Sequence, residues 1–453
     1  MTSVQGSGPL TNRGRHLANQ PGLGSRFRSL YLGTAVSLLG NYVAYLTIPL
    51  LVVEILGSAD TALPFSITYA LETVPTLVFG LVGGVVLDRV SLRWAMVLAD
   101  IARAAAFFYL AWSVPGFDLP TVFAASFLIG SFSAVYENAL YALIPALVPE
   151  ERLAQANGRI AATQAAMFAA GPLIAGAMAT IAGPRPGLYF NGATFVVSAV
   201  GVFLVGPVPP RESEEERGGF VEETLNGLRY LIGEKRLRDS TITAAAANLV
   251  LGFVEATFVV MASVVLMTET DTQIGVLIAA CGLGMTSGAA LADRVIRIFG
   301  LGRTMMIGLL TIGVGMVLLV FSRFGTLALI FAFVMFVGIG LVNVPIATIR
   351  QVYTPPAMLG RVITASRALS WGTLPIGALL GGFLAHQVSY VPIARATPLV
   401  LLALAGWLLT TPLWSDTFGP THRRRLWSGS PEERKNHSDE EDADTTDHHM
   451  QGV

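Results

Sequence analysis

The chain has 453 residues, of which 53% are hydrophobic and only 13% charged, with a formal net charge of −1. Soluble globular chains carry about a quarter charged residues, so this composition points to a membrane protein. The balanced charge argues against a nucleic-acid partner. The one cysteine, Cys281, excludes an internal disulfide and a cysteine-built metal site.

Residues 1–25 are polar, with Arg13 and Arg15 but no apolar core ending in small residues. They are expected to form a cytoplasmic tail and not a cleaved signal. Beyond them, apolar runs of the roughly 20 residues needed to cross a bilayer recur twelve times. Their expected limits are 29–53, 63–87, 94–114, 119–148, 155–182, 186–206, 239–267, 272–296, 303–322, 325–349, 361–386 and 396–414. Of the 29 Lys and Arg residues, Arg185, Arg323 and Arg395 alone fall on one side, and Arg103 lies inside the third span. The richer side is cytoplasmic by the positive-inside rule, which puts both termini inside a plasma (cytoplasmic) membrane.

The sixth and seventh spans are joined by the one long internal loop, 208–238. Within it FVEETLNGLRYLIGEKRLR repeats apolar residues at helical spacing (Phe220, Leu225, Leu228, Leu231, Ile232), predicting an amphipathic helix on the cytoplasmic surface. Residues 26–207 and 239–414 thus form two six-helix halves. The tail 415–453 carries eight carboxylates between Glu432 and Asp447 and is expected to be disordered.

The halves repeat one another. Asp88-Arg89 follows the apolar GGVVL of the first half, and Asp293-Arg294 follows GAALA 205 positions later. Gly158-Arg159 before the fifth span answers Gly360-Arg361 before the eleventh, and Pro172 answers Pro375. Matched spacing of this kind is the mark of an internal repeat, two six-helix halves joined by a charged linker.

GGVVLDRVSLR, with Gly84, Asp88, Arg89 and Arg93, resembles the loop signature of the major facilitator superfamily. SLLGNYVAYLTIPLL, LADIARA, LVPEERLAQANG and GPLIAG resemble its drug-exporter branch, which includes macrolide, tetracycline and enterobactin exporters. The likeness runs from about Arg26 to Trp414. It implies an all-α membrane fold of twelve transmembrane helices in two pseudo-symmetric six-helix halves, working by alternating access. It also implies that Gly84, Asp88, Arg89 and Arg93, with Asp293 and Arg294 as the second copy, latch the halves on the cytoplasmic side when the protein opens outward. Departures are specific: Val90-Ser91-Leu92 lacks the signature's glycine, Asn41 stands where relatives often carry Asp, and Met167 and Ala177 replace glycines.

Ionisable residues inside a span cost about 2.5–3.5 kcal/mol on insertion scales and are functional by default. Glu137 falls near mid-membrane; Glu72 and Glu255 fall in the outer half. A carboxyl there can be neutral in one state and charged in another, which suits proton coupling. Asn41, Gln164 and Asn343 are candidate hydrogen-bonding groups for a substrate, with helix–helix bonding as the alternative. Arg367, one turn before Trp371, can meet an anion or reach back to the cytoplasm. Asp100 and Arg103, at i and i+3, suit a structural ion pair.

No ATP-binding GxxxxGK[ST] loop exists, because Lys235 is followed by Arg and Lys435 by Asn; no HExxH occurs. The expectation is therefore a non-enzymatic, monomeric secondary transporter without cofactor or metal. Its partners would be the bilayer, protons and a small-molecule substrate, the last an amphipathic compound exported from the cell. An uptake symporter of the same fold and a non-transporting membrane sensor are the alternatives.

Overall fold

A computed structural model describes residues 23–56, 61–87, 90–113, 118–149, 152–208, 220–355, 358–388 and 390–414. Residues 1–22 of the expected N-terminal tail, the whole expected C-terminal tail, and Asp88 and Arg89 of the loop signature lie outside these residues.

The first half comprises α1 (Ser25–Leu56), α2 (Ala62–Leu87), α3 (Leu92–Ser113), α4 (Leu119–Leu147), α5 (Leu153–Ala182) and α6 (Arg185–Phe203). A connecting helix, α7 (Phe220–Gly233), leads to α8 (Lys235–Ala256). The chain then continues through a short helical turn, Phe258–Val260, and a π-helical turn, Met261–Val265. α9 (Asp271–Phe299), α10 (Leu301–Val320), α11 (Thr326–Val352), α12 (Leu359–Trp371), α13 (Thr373–Val388) and α14 (Tyr390–Leu408) complete the second half. Among the described residues eleven helices are long and apolar enough to cross a membrane, and twelve when the bent segment 235–265 counts as one span.

Local signals set the helix ends. Asp118 caps α4, accepting from the Thr121 backbone N–H at 3.2 Å and its hydroxyl at 2.5 Å. These bonds hold the exposed Asp118 carboxyl below its ordinary range. Thr270 caps α9, with Asp271 in the first turn and Arg297 in the last, charges that complement the helix dipole. Gly300 then takes φ 85°, a conformation open to glycine at no cost, and lets α10 start one residue after α9 has ended. Prolines inside helices, such as Pro75 and Pro172, are tolerated where neighbouring helices satisfy the freed backbone groups. Leu98, Trp112, Val197, Val314 and Phe383 are exposed on the outer surface, as a lipid-facing shell requires.

Three details differ from the span limits read in the sequence. The seventh span is not one straight helix: it bends by 57° at Thr257, where the threonine hydroxyl bonds back to the Phe253 carbonyl at 2.6 Å. The tenth runs on to Val352, so Arg350 belongs to the helix and not to the loop after it. The twelfth begins at Tyr390, placing Arg395 on the helix, its guanidinium 4.8 Å from the Phe321 ring centre. Proline and charge mark plausible ends, but packing against a neighbour carries a helix past them.

α7 rests on the second half and does not float free of it. Gly227 approaches the Arg361 backbone too closely to admit a side chain, the Tyr230 hydroxyl donates to the Tyr353 carbonyl at 3.1 Å, and Leu231 is buried.

The halves meet on the side away from the described termini. There α5 packs on α9 and α2 on α13. The Thr180 and Thr272 hydroxyls are 2.9 Å apart, and Gly176 and Gly275 each press on backbone of the opposite helix. One apolar core runs through both halves. A second, built from Phe27, Leu30, Met96, Leu143, Ile160 and Val202, stays wholly within the first half on the terminal side. The protein is thus closed on the loop side, with its halves' cores separate on the terminal side.

Candidate functional site

The first half presents a polar wall made by α1, α3, α4 and α5. Helical spacing puts Thr34, Ser37 and Asn41 on one face of α1, and these line a cleft with Arg103, Tyr136, Glu137, Tyr141 and Gln164. Its free volume is about 20 Å³, room for one water, so anything larger rests against its mouth. Glu137 is accessible there, and Tyr141 and Gln164 share the cleft lining with it.

Behind this wall Asp100 and Arg103 form an ion pair that is almost completely buried. The Arg103 guanidinium lies 4.6 Å from the Tyr136 ring centre and 4.2 Å from that of Phe195. The Tyr136 hydroxyl meets Thr34 at 3.0 Å and Ser198 at 3.2 Å. The Arg103 charge also reaches Glu137 electrostatically. Breaking a buried pair by removing one partner costs about 3–5 kcal/mol. Arg103→Ala is therefore expected to lower the thermal midpoint of the detergent-purified protein sharply, and Asp100→Asn with Arg103→Met together much less. Equal loss in both would show that the charge pairing is not what the site depends on.

Glu255 sits apart from Glu137. It accepts a 2.5 Å hydrogen bond from the Tyr69 hydroxyl, a bond that crosses between the halves on the closed side. Glu72 lies on the accessible side of α2, within electrostatic reach of Tyr45 and Tyr69. The three acids thus divide into Glu137 on the cleft wall and a Glu72–Tyr69–Glu255 group beside the closure.

In the second half Asn343, Ala347 and Arg350 share a face of α11, the first two exposed. Arg367 and Trp371 are exposed on α12, the guanidinium 5.9 Å from the indole ring. Asn41, Glu137 and Gln164 are thus brought together on the first-half wall, and Arg367 is exposed on the second half.

Of the expected latch residues, Asp88 and Arg89 lie outside the described residues, and Arg93 and Asp293 find partners within their own halves. Arg93 is held by its own half, donating to the Phe203 carbonyl at 2.7 Å with its guanidinium 4.5 Å from the Phe203 ring centre. Asp293 pairs with Arg297 of its own helix at 2.8 Å, both exposed, and Arg294 is exposed beside them. Gly84 lies in the last turn of α2. A separate apolar recess of about 410 Å³, lined in part by Phe79, Trp94, Leu98 and Phe132, contains no ionisable group and takes no part in the site.

Residues 30–250 match the family described as Major Facilitator Superfamily. Over those residues the chain is of the major facilitator type, and the relatives it resembles are transporters. It is 26% identical to an uncharacterised MFS-type transporter of Sinorhizobium fredii, over 86% of this chain and 95% of that protein. It is 24% identical to macrolide efflux protein A of Streptococcus pyogenes, over 80% of this chain and 90% of that one. Among solved structures a nucleoside transporter superposes with a TM-score of 0.72 at 11% identity, covering 85% of this chain and 99% of that one. At that identity the likeness establishes the fold. The chain is a multi-pass membrane transporter.

Two features of this structure escape a reading of the sequence. Tyr69 is one of many aromatic residues in spans, and only the meeting of α2 with α8 makes it the partner of Glu255. Arg350 looks like one more positive loop residue until α11 is seen to continue past it.

Proposed function

We propose that the protein is a proton-coupled exporter of amphipathic small molecules, working by alternating access with both termini in the cytoplasm. The observation that carries this reading is Glu137: an accessible carboxyl at mid-helix depth, on a polar wall between halves that are closed on the opposite side. About ten residues separate it from the end of α4, roughly 15 Å along the helix. A carboxyl at that depth can meet each aqueous side in turn as the halves rock. The polar wall of Asn41, Tyr141 and Gln164 supplies hydrogen-bonding groups for a substrate, and the relatives named for efflux support the outward direction.

The test is net efflux of a macrolide panel from cells with and without the protein, with and without an uncoupler. Uncoupler-sensitive efflux that depends on the protein is the expected outcome. Protein-dependent accumulation inside the cell would instead favour an uptake symporter. Orientation is checked in parallel with cysteine labels on a Cys281→Ser background. Sites at Gly183 and Glu269 should react with impermeant reagents from outside, and sites at Val90 and Gly360 should not.

A further inference from the structure

The second-half wall carries positive charge that no carboxylate among the described residues pairs with. Arg350 is only 8% exposed, yet among the described residues no carboxylate pairs with it. Its one hydrogen bond is donated to the Ser370 hydroxyl at 3.1 Å, and that hydroxyl in turn donates to the Ser366 carbonyl at 2.7 Å. The Arg350 Nε–H is buried without any partner. Ser370 stands on the adjacent helix one turn after a second cation, Arg367, whose backbone carbonyl lies 3.4 Å from the same serine hydroxyl. Arg367 forms no ion pair among the described residues and stacks toward Trp371. Glu137, the acid on the facing wall, is engaged by the charge of Arg103 and not of this pair.

Two arginines on adjacent helices, linked through Ser370 and one of them buried with an orphaned donor, form an arrangement that an anion would complete. Buried charges are otherwise paired, and an unpaired donor there calls for an explanation. The guanidinium fork matches a planar oxyanion through two parallel hydrogen bonds. The indole of Trp371, 5.9 Å from the Arg367 guanidinium, adds aromatic surface beside it. We propose that Arg350 and Arg367 form the anion subsite of the transport pathway, taking the carboxylate of an amphipathic aromatic acid whose ring lies against Trp371. This assignment rests on the transporter reading for its physiological meaning, but the subsite itself is a statement about binding.

Equilibrium dialysis of the purified full chain in a neutral detergent tests it, with radiolabelled 2-naphthoate and its neutral isostere 2-naphthamide as probes. The expected result is at least tenfold tighter binding of naphthoate. That preference should fall to about one in Arg367→Gln and in Arg350→Gln, and should survive in part in Arg350→Lys. Arg367 is exposed, so its variant answers the question even where a change at the buried Arg350 prevents folding. Equal affinity of the wild type for the two probes, or a preference that persists in Arg367→Gln, overturns the proposal. A third arm adds phosphatidylglycerol to the micelles. Naphthoate should still bind in its presence; displacement of naphthoate by the lipid at equimolar level would assign the pair to a headgroup and overturn the substrate assignment. Binding needs no gradient, so the two readings fail separately. Loss of the naphthoate preference with intact uncoupler-sensitive efflux removes only the subsite, and intact preference without efflux removes only the exporter.

Discussion

Glu137→Gln is expected to abolish uphill efflux while leaving folding and downhill substrate movement intact. Sustaining a tenfold substrate gradient takes about 1.4 kcal/mol, which the proposed cycle draws from protons entering through a group that both sides reach alternately. Glu137 is accessible, and its side chain is in the electrostatic field of Arg103 and close to Tyr42 and Tyr141. Glutamine keeps the size and the hydrogen-bonding capacity of the side chain and removes its ability to carry a proton in one state and a charge in the other. The accumulation ratio in the variant should equal that of the wild type with uncoupler. Raising the external pH weakens the inward proton gradient, so wild-type efflux should fall as the outside becomes more alkaline, and the variant should be flat. A variant that still concentrates substrate with the wild-type pH profile would make Glu137 a structural residue and move the same question to Glu72.

The second large effect concerns the closure. Tyr69→Phe removes the hydroxyl that donates to Glu255 across the halves and nothing else. A hydrogen bond to a charged group contributes about 1.5–3 kcal/mol, so its loss should shift the ratio of loop-side-closed to loop-side-open protein by roughly 10- to 150-fold. Spin labels at the exposed Ile181 and Met267, one in each half, would report this as growth of a longer-distance population. Glu255→Gln, whose amide oxygen still accepts, should shift it less. Identical distance distributions in wild type and Tyr69→Phe would show that the bond decorates the closure without holding it.

Much of this architecture was legible before any coordinates. Hydrophobic length fixed the spans to within a few residues, since a bilayer permits few alternatives, and the duplicated signals announced two halves. The acids stood out because a charge in an apolar run is costly. What stayed hidden depended on which helices touch. Nothing in the order of residues says that Tyr69 meets Glu255 186 positions away, or that Arg350 reaches Ser370 on the next helix. The bend at Thr257 was hidden too, because it needs no proline or glycine: a threonine hydroxyl competing for the Phe253 carbonyl lies at the break. The two strips expected to latch the halves share a motif, yet Arg93 and Asp293 find partners close by, an outcome that motif spacing cannot specify.

The contact between α5 and α9 has a bearing on speed. A Cβ at Gly176 or Gly275 would overlap a carbonyl of the opposite helix, and one at Gly282 would press on Phe168. These helices therefore slide backbone on backbone, with few side chains meshed like gear teeth that would have to change rotamer in step. A joint of that kind resists separation through a few polar contacts and offers little friction to tilting. Turnover in such a machine is governed by how fast those contacts break and reform, and a single bulky residue at Gly275 would act on it as grit acts on a bearing.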